Sequence, residues 1–251
     1  HSGVHDILAI AEYWLWPFRC QGRGAAARRN LSLIASPSPV SGTGATPITL
    51  APAASAACSM SNRLAAASTS SPAAIEDVLS FWFEEITPEH WFKKDDSFDE
   101  TIRARFEPTV TAALAAQLDD WADTAEGCLA LIILMDQFTR NIYRDTPRAF
   151  SGDEMALALS LRCVDRDFIR HEDGHWRHFM LMPMMHSEDI GVQDRSLPLF
   201  ETLTNPRTHE YAVKHRDIVA RFGRFPHRNA ILGRPSSDEE TEFLTQPGSS
   251  F

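Results

Sequence analysis

Three stretches of this chain carry side chains that could do chemistry. The first is Asp136-Gln-Phe-Thr-Arg140-Asn141, set inside an apolar run. Asp136 and Arg140 stand four apart with the acid first, the favourable order for a helical ion pair. Gln137, Asn141 and Arg144 continue a neighbouring polar stripe. These residues can tie a helix to its neighbours or line a ligand groove. A buried ion pair argues only weakly for stability, because desolvation opposes the Coulomb gain.

The second stretch is His186-Ser-Glu188-Asp189 with Gln193. On a helix, His186, Asp189 and Gln193 would share one face, with Glu188 pointing elsewhere. His186 and Glu188 together suit a general acid–base pair or a pair of ligands. The HExxH spacing of zinc-protease helices is absent. The third stretch is the densest: His215, then Arg221, Arg224, His227, Arg228 and Asn229. It sets three guanidinium groups and an imidazole around a helix end, a turn and a new helix start. Free backbone N–H groups and guanidinium forks there suit a carboxylate or a phosphate. The alternative is that these Arg neutralise surplus acids such as Asp217 and Glu188. His171, His175 and His178 recur at helical spacing, but Glu172, Asp173 and Gly174 among them read as a polar inter-helix loop. No metal site is expected from them.

The elements that position these residues read as helices throughout. Ser71-Pro72 gives a cap and a first-turn proline. Ile75, Val78, Leu79, Trp82 and Phe83 then fall on one helical face. Thr87-Pro88 is a second start. Ser97-Phe-Asp-Glu100 reads as a capping box, opening a helix that Pro108 should kink or break. Thr124 caps the most apolar helix, which runs to Ile142. Ser151-Gly-Asp-Glu154 is another capping box. Pro183 restarts a helix that holds His186. Tyr211, His215, Ile218 and Phe222 share a face on a helix that Gly223 ends. Pro226 opens a short helix, and Ser237-Asp-Glu-Glu240 caps the last turn. No alternating strand pattern appears, so the expected fold is all-α, built from antiparallel helix pairs. No internal repeat of 30–45 residues is visible. Trp82, Trp91 and Trp121 read as core anchors.

The 251-residue chain carries a net charge of −10, which averages two unlike parts. Residues 1–75 hold two acids and five Arg, a net of +3; residues 76–251 hold 32 acids and 19 bases, a net of −13. An acidic region of this size is a poor partner for nucleic acid or for an anionic membrane surface. Its longest apolar run, Cys128 to Met135, has eight residues, against roughly 18 for a membrane span. The four Cys include no CxxC, so no structural zinc knuckle is expected, and Cys128 and Cys163 read as reduced core residues. Residues 1–70 are rich in Ala, Ser, Pro and Gly and are expected to be a disordered leader. It is either an organellar transit peptide, with a plastid or mitochondrial destination, or an extension upstream of a start at Met60, with a cytoplasmic one. Residues 71–251 are expected to form a single all-α domain.

Five segments then resemble the bacterial domain-of-unknown-function 924 family, in its order: Val78-Leu-Ser-Phe-Trp82-Phe, Leu118-Asp-Asp-Trp121-Ala, Leu134-Met-Asp136-Gln-Phe-Thr-Arg140-Asn141, Met182-Pro-Met-Met-His186-Ser-Glu188-Asp189 and His215 through Asn229. The resemblance spans about Ile75 to Leu244. It implies a compact all-helical fold similar to tetratricopeptide-repeat proteins and a length close to that of a chain begun at Met60. It brings no assigned activity.

Two functions follow as expectations. The first is a binding or scaffold module whose helical array offers a groove for a small anionic molecule or peptide. Arg221, Arg224, His227, Arg228 and Asn229 would hold the anion, and Asp136, Arg140, Asn141 and Gln193 would shape the floor. The second is a hydrolase-type enzyme with His186 or His215 as base, Glu188 as partner and the Arg cluster as anion stabiliser. No nucleophile elbow or Gly-rich phosphate loop supports the second. Neither requires a cofactor.

Overall fold

The apolar spacing of residues 75–222 dictates helices, and the computed structural model, which describes residues 72–249, consists of helices and turns with no strand among them. These residues belong to one compact unit, Ser68–Phe251. The expected leader over 1–70, the start at Met60 and the Ser71 cap lie outside the described residues.

Helix α1 (Ile75–Ser80) passes directly into a π-helical turn, Phe81–Glu85. Helix α2 (Asp96–Leu114) is capped by Asp95, whose side chain accepts from the backbone N–H of Ser97 and Phe98. The expected capping box at Ser97 is thus displaced by the acid two residues earlier. Pro108 neither breaks nor ends α2. Its ring removes one hydrogen bond, to the carbonyl of exposed Ala104, where water can replace it. Buried Ile102, Phe106 and Val110 hold both halves of α2 against the core.

Thr124 caps helix α3 (Ala125–Ile132) as its sequence requires, accepting from Gly127 N. The helix then widens into a π-helical stretch, Ile133–Phe138, before resuming as α4 (Thr139–Ile142). Thr139 Oγ1 donates to the Met135 carbonyl at 2.7 Å within that stretch. Every residue from Gly127 to Thr139 is buried, so this is the central helix of the unit. Helix α5 (Asp153–Asp165) starts at Gly152, with no side-chain cap; the box expected at Ser151 does not form. A Cβ on Gly152 would stand 2.3 Å from the Met135 carbonyl oxygen. Glycine therefore lets the start of α5 approach the central helix.

Helix α6 (Gly174–Met185) runs through Pro183. The expected helix start at that proline is not found; the buried Met-rich turn overrides the propensity. Asp189 instead caps helix α7 (Ile190–Leu203), accepting from Gly191 and Val192 N–H. Helix α8 (Pro206–Phe222) follows and ends on Gly223, at φ 71°. Helix α9 (Asp238–Leu244) carries the full Ser237–Glu240 capping box. Successive helices α5, α6, α7 and α8 pack side by side as pairs, and α2 and α6 lean on the central helix. The main core runs from Val78 to Ala212. Ile218, Val219 and Phe225 form a smaller satellite with Phe222 and Phe243. No helix among the described residues is long and apolar enough to cross a membrane.

Candidate functional site

The π-helical stretch sets Asp136 fully inside the protein, at 0 % exposure. Such an extra residue per turn recurs at functional sites. A buried carboxylate survives only with partners, and Asp136 has three. Arg140 Nη1 lies 3.1 Å from Oδ1, Gln137 Nε2 donates to Oδ2 at 2.6 Å, and His186 Nδ1 stands 2.7 Å from Oδ1. Burial opposes ionisation, yet the charge of Arg140 and the hydrogen bonds from His186 and Gln137 hold the carboxyl well below the usual carboxylate range. An ionised carboxylate only accepts, so His186 carries its hydrogen on Nδ1.

His186 is the C-terminal cap of α6. It is not on a shared helix face with Asp189 and Gln193, because Asp189 is itself the cap of α7. Gln193 braces the connector instead, its amide donating to the carbonyls of Met185 and Ser187 at 2.7 and 2.8 Å. Arg228 Nη2 donates to the His186 carbonyl at 3.0 Å. The ring is thus held by Asp136 and its backbone by Arg228, with 17 % of the side chain still exposed.

Asp153, in the first turn of α5, joins the two guanidinium groups. Arg140 lies 3.1 Å from its Oδ1 and Arg228 3.2 Å from its Oδ2. Two carboxylates and two guanidinium groups therefore balance inside the cluster. Arg228 also packs on the rings of Phe150 and Phe225, at 4.9 and 4.7 Å. Its Nε is buried without a hydrogen-bond partner. Burial and the nearby Arg140 charge lower Arg228 to about 10.

Two further imidazoles complete the cluster. The His215 ring, on α8, lies 6.1 Å from that of His186 and 5.6 Å from Phe225. His215 Nδ1 meets the Tyr211 carbonyl at 2.7 Å. Burial, then the proximity of His186, pushes His215 down to about 3. His227, in the 3₁₀ turn Pro226–Arg228, stands 5.6 Å from Phe225. Burial and Arg228 lower it to about 4. Both are uncharged at neutral pH.

Of the residues singled out in the sequence, Asp136, Arg140, His186, His215, His227 and Arg228 come together. The others serve elsewhere. Arg221 pairs with Glu239 at 2.8 Å. Arg224 forks onto buried Glu240 at 2.6 and 2.8 Å and holds α9 in place. Glu188 is engaged by Arg234 at 2.6 and 3.0 Å and accepts from Phe225 N at 2.9 Å. Burial resists its ionisation, but Arg234 keeps it below the ordinary range. Asn229 accepts from Arg234 and donates to Ser236 Oγ. Asn141 donates to Asp99, which also takes the Arg144 fork.

His175 and His178 lie in α6, not in the expected loop, because Asp173 caps the helix just before them. His171 stacks on Trp176 with ring centroids 4.2 Å apart, and His178 meets Thr208 Oγ1 at 3.2 Å. No group of three or more metal-ligating side chains suited to a metal ion occurs among the described residues. Nothing in the sequence pattern marks Asp153 or Arg234 as partners of these residues. The only local sign of Asp153 was an acid directly after a glycine at a helix start.

Fold and site together define an all-helical protein with a buried carboxylate–imidazole–guanidinium centre at one end of its helix pairs. The chain belongs to the family described as bacterial protein of unknown function (DUF924), which it matches over residues 78–248. It is similar to the solved structure of ATU0120, a protein of unknown function from Agrobacterium tumefaciens, at 38 % identity and a TM-score of 0.65; the match covers 68 % of this chain and 96 % of that one. None of the curated proteins matches it.

Proposed function

We propose that this chain is a binding module for a small anionic molecule, a carboxylate or a phosphate, taken up at the centre formed by His186, His215, His227 and Arg228. In this reading the sequential packing of α5 to α8 is a tetratricopeptide-like array that presents the site. The convergence of three imidazoles on Arg228, whose buried Nε has no hydrogen-bond partner, is the observation that carries the proposal. The positive field of Arg228 disfavours protonation of His227, and the same field favours an anion. Arg140 and Arg228 are already matched by Asp136 and Asp153. The ligand's charge is therefore met by the field of Arg228 and by hydrogen bonds from the uncharged imidazoles. Arg221 and Arg224, committed to Glu239 and Glu240, take no part.

Thermal unfolding of the full chain with inorganic phosphate and with glutarate tests this. A ligand that binds only the native state raises the midpoint as its concentration exceeds Kd. A rise with either anion, reduced in His186→Gln, is the expected result. Unchanged midpoints with both anions at tens of millimolar would overturn it.

A further inference from the structure

We infer that the Asp136–His186 pair is a general-base dyad and that the chain hydrolyses a small carboxylic ester bearing a second, anionic group. This rests on the anion-binding reading of the same centre. The geometry has the parts that water activation needs. A wholly buried carboxylate stands 2.7 Å from His186 Nδ1, while the imidazole keeps a partly exposed edge. Asp136 cannot turn away, because Arg140 and Gln137 hold it. The Asp136 bond holds the His186 ring through Nδ1, and Arg228 and Gln193 hold the backbone that carries it. In the neutral imidazole, with Nδ1 committed as a donor, Nε2 carries the lone pair. Glu188 is excluded as the orienting acid by its fork with Arg234.

The step balances without a co-reactant other than water. A water molecule gives a proton to His186 Nε2 as its oxygen bonds to the ester carbonyl carbon. The carbonyl π pair moves onto oxygen, forming a tetrahedral anion beside Arg228 and the other imidazoles. The positive charge on His186 is stabilised by Asp136 through Nδ1–H, and Asp136 stays ionised. Collapse re-forms the carbonyl, breaks the bond to the leaving alcohol, and returns the proton from Nε2 to that alcohol. His186 is the catalytic residue and Asp136 the positioning residue.

The full chain is assayed with p-nitrophenyl hydrogen glutarate, with p-nitrophenyl acetate as the uncharged comparison, and glutarate binding is followed in parallel. The glutarate ester is expected to turn over faster than the acetate. His186→Gln is expected to lower kcat by about 100-fold or more, the usual scale of general-base catalysis, while glutarate still raises the unfolding midpoint, though by less than in the parent chain. Asp136→Asn is expected to lower kcat with little change in KM. His186→Gln, at the site's exposed edge, keeps the test intact if Asp136→Asn fails to fold. Glutarate binding without hydrolysis of either ester, or hydrolysis undiminished in His186→Gln, overturns the catalytic inference and leaves the binding reading standing. Absence of both binding and hydrolysis overturns both.

Discussion

Asp136 and His186 lie 50 positions apart in the chain, yet their Oδ1 and Nδ1 atoms are 2.7 Å from each other. The π-helical stretch fixes the first residue and the end of α6 fixes the second. Since Asp136 is ionised, the hydrogen sits on His186 Nδ1. Replacing the carboxylate by an amide removes that demand. In Asp136→Asn the imidazole nitrogen shifts, read by ¹⁵N-detected NMR, are expected to move from the Nδ1–H tautomer towards a mixture. Arg140 keeps Asp153 as a partner, so the destabilisation is expected at or below the about 3–5 kcal/mol typical of breaking a buried pair. An unchanged tautomer would show that Asp136 does not orient the ring.

Three imidazoles, His215 buried and His178 and His227 half-buried, make stability depend on pH. His178, His215 and His227 sit at about 4, 3 and 4 in the folded chain, against about 6.5 when unfolded. In each case burial is the largest cause. Between those values the unfolded chain binds more protons, so stability rises with pH there. The contribution is fully present above about pH 7 and is lost as pH falls from about 6.5 towards 4. Each group adds a slope of up to about 1.4 kcal/mol per pH unit. Asp136 stays ionised across this window. Urea midpoints are expected to fall steadily from pH 7.5 through 6 to 5; equal midpoints would refute the buried neutral state.

Arg224 and Arg228, four positions apart, should separate cleanly on mutation. Arg224 forks onto Glu240 and also reaches the Pro235 carbonyl, so Arg224→Met loosens α9 without touching the imidazole cluster. Arg228→Met removes the guanidinium beside His186 and the buried Nε. Phosphate and glutarate are expected to raise the unfolding midpoint of Arg224→Met as they do in the parent chain, and not that of Arg228→Met. Circular dichroism checks that both variants remain helical. The opposite pattern would move the anion site to the α9 end.

Much of this arrangement was legible in residue patterns. Thr124, Gly223 and the Ser237–Glu240 box terminate helices where the sequence says they should, because a cap is a local interaction. Pro108 does not break α2 and Pro183 does not start a helix, since buried packing on both sides of each outweighs one lost hydrogen bond. The π-helical widening at Ile133–Phe138 leaves no mark on the 3.6-residue period, so the depth of Asp136 could not be read. The three chemically loaded stretches were visible as residue types. Their pairing was not: Asp136 with His186, Arg228 with Asp153 and Glu188 with Arg234 are contacts between elements far apart in the chain. Local charge density therefore pointed to Arg221 and Arg224, whose charge is consumed by α9.

Gly152 tests whether the close approach of α5 to the central helix sustains the site. A methyl group there would meet the Met135 backbone oxygen at 2.3 Å and its carbonyl carbon at 3.0 Å. Backbone cannot swing aside as a side-chain tip can, so α5 must retreat, carrying Asp153 from Arg140 and Arg228. Overpacking of this kind costs about 1–3 kcal/mol, and the lost ion pairs add to it. Gly174 is the internal control. It opens α6, and a Cβ there meets only the far end of Arg177 at 3.5 Å. Gly174→Ala is expected to be neutral or to stabilise by up to about 1 kcal/mol, from the better helix propensity of alanine. Gly152→Ala is expected to lower the urea midpoint and to weaken glutarate binding together. A stable Gly152→Ala chain with unaltered binding would show that the α5 start does not set the geometry of the centre.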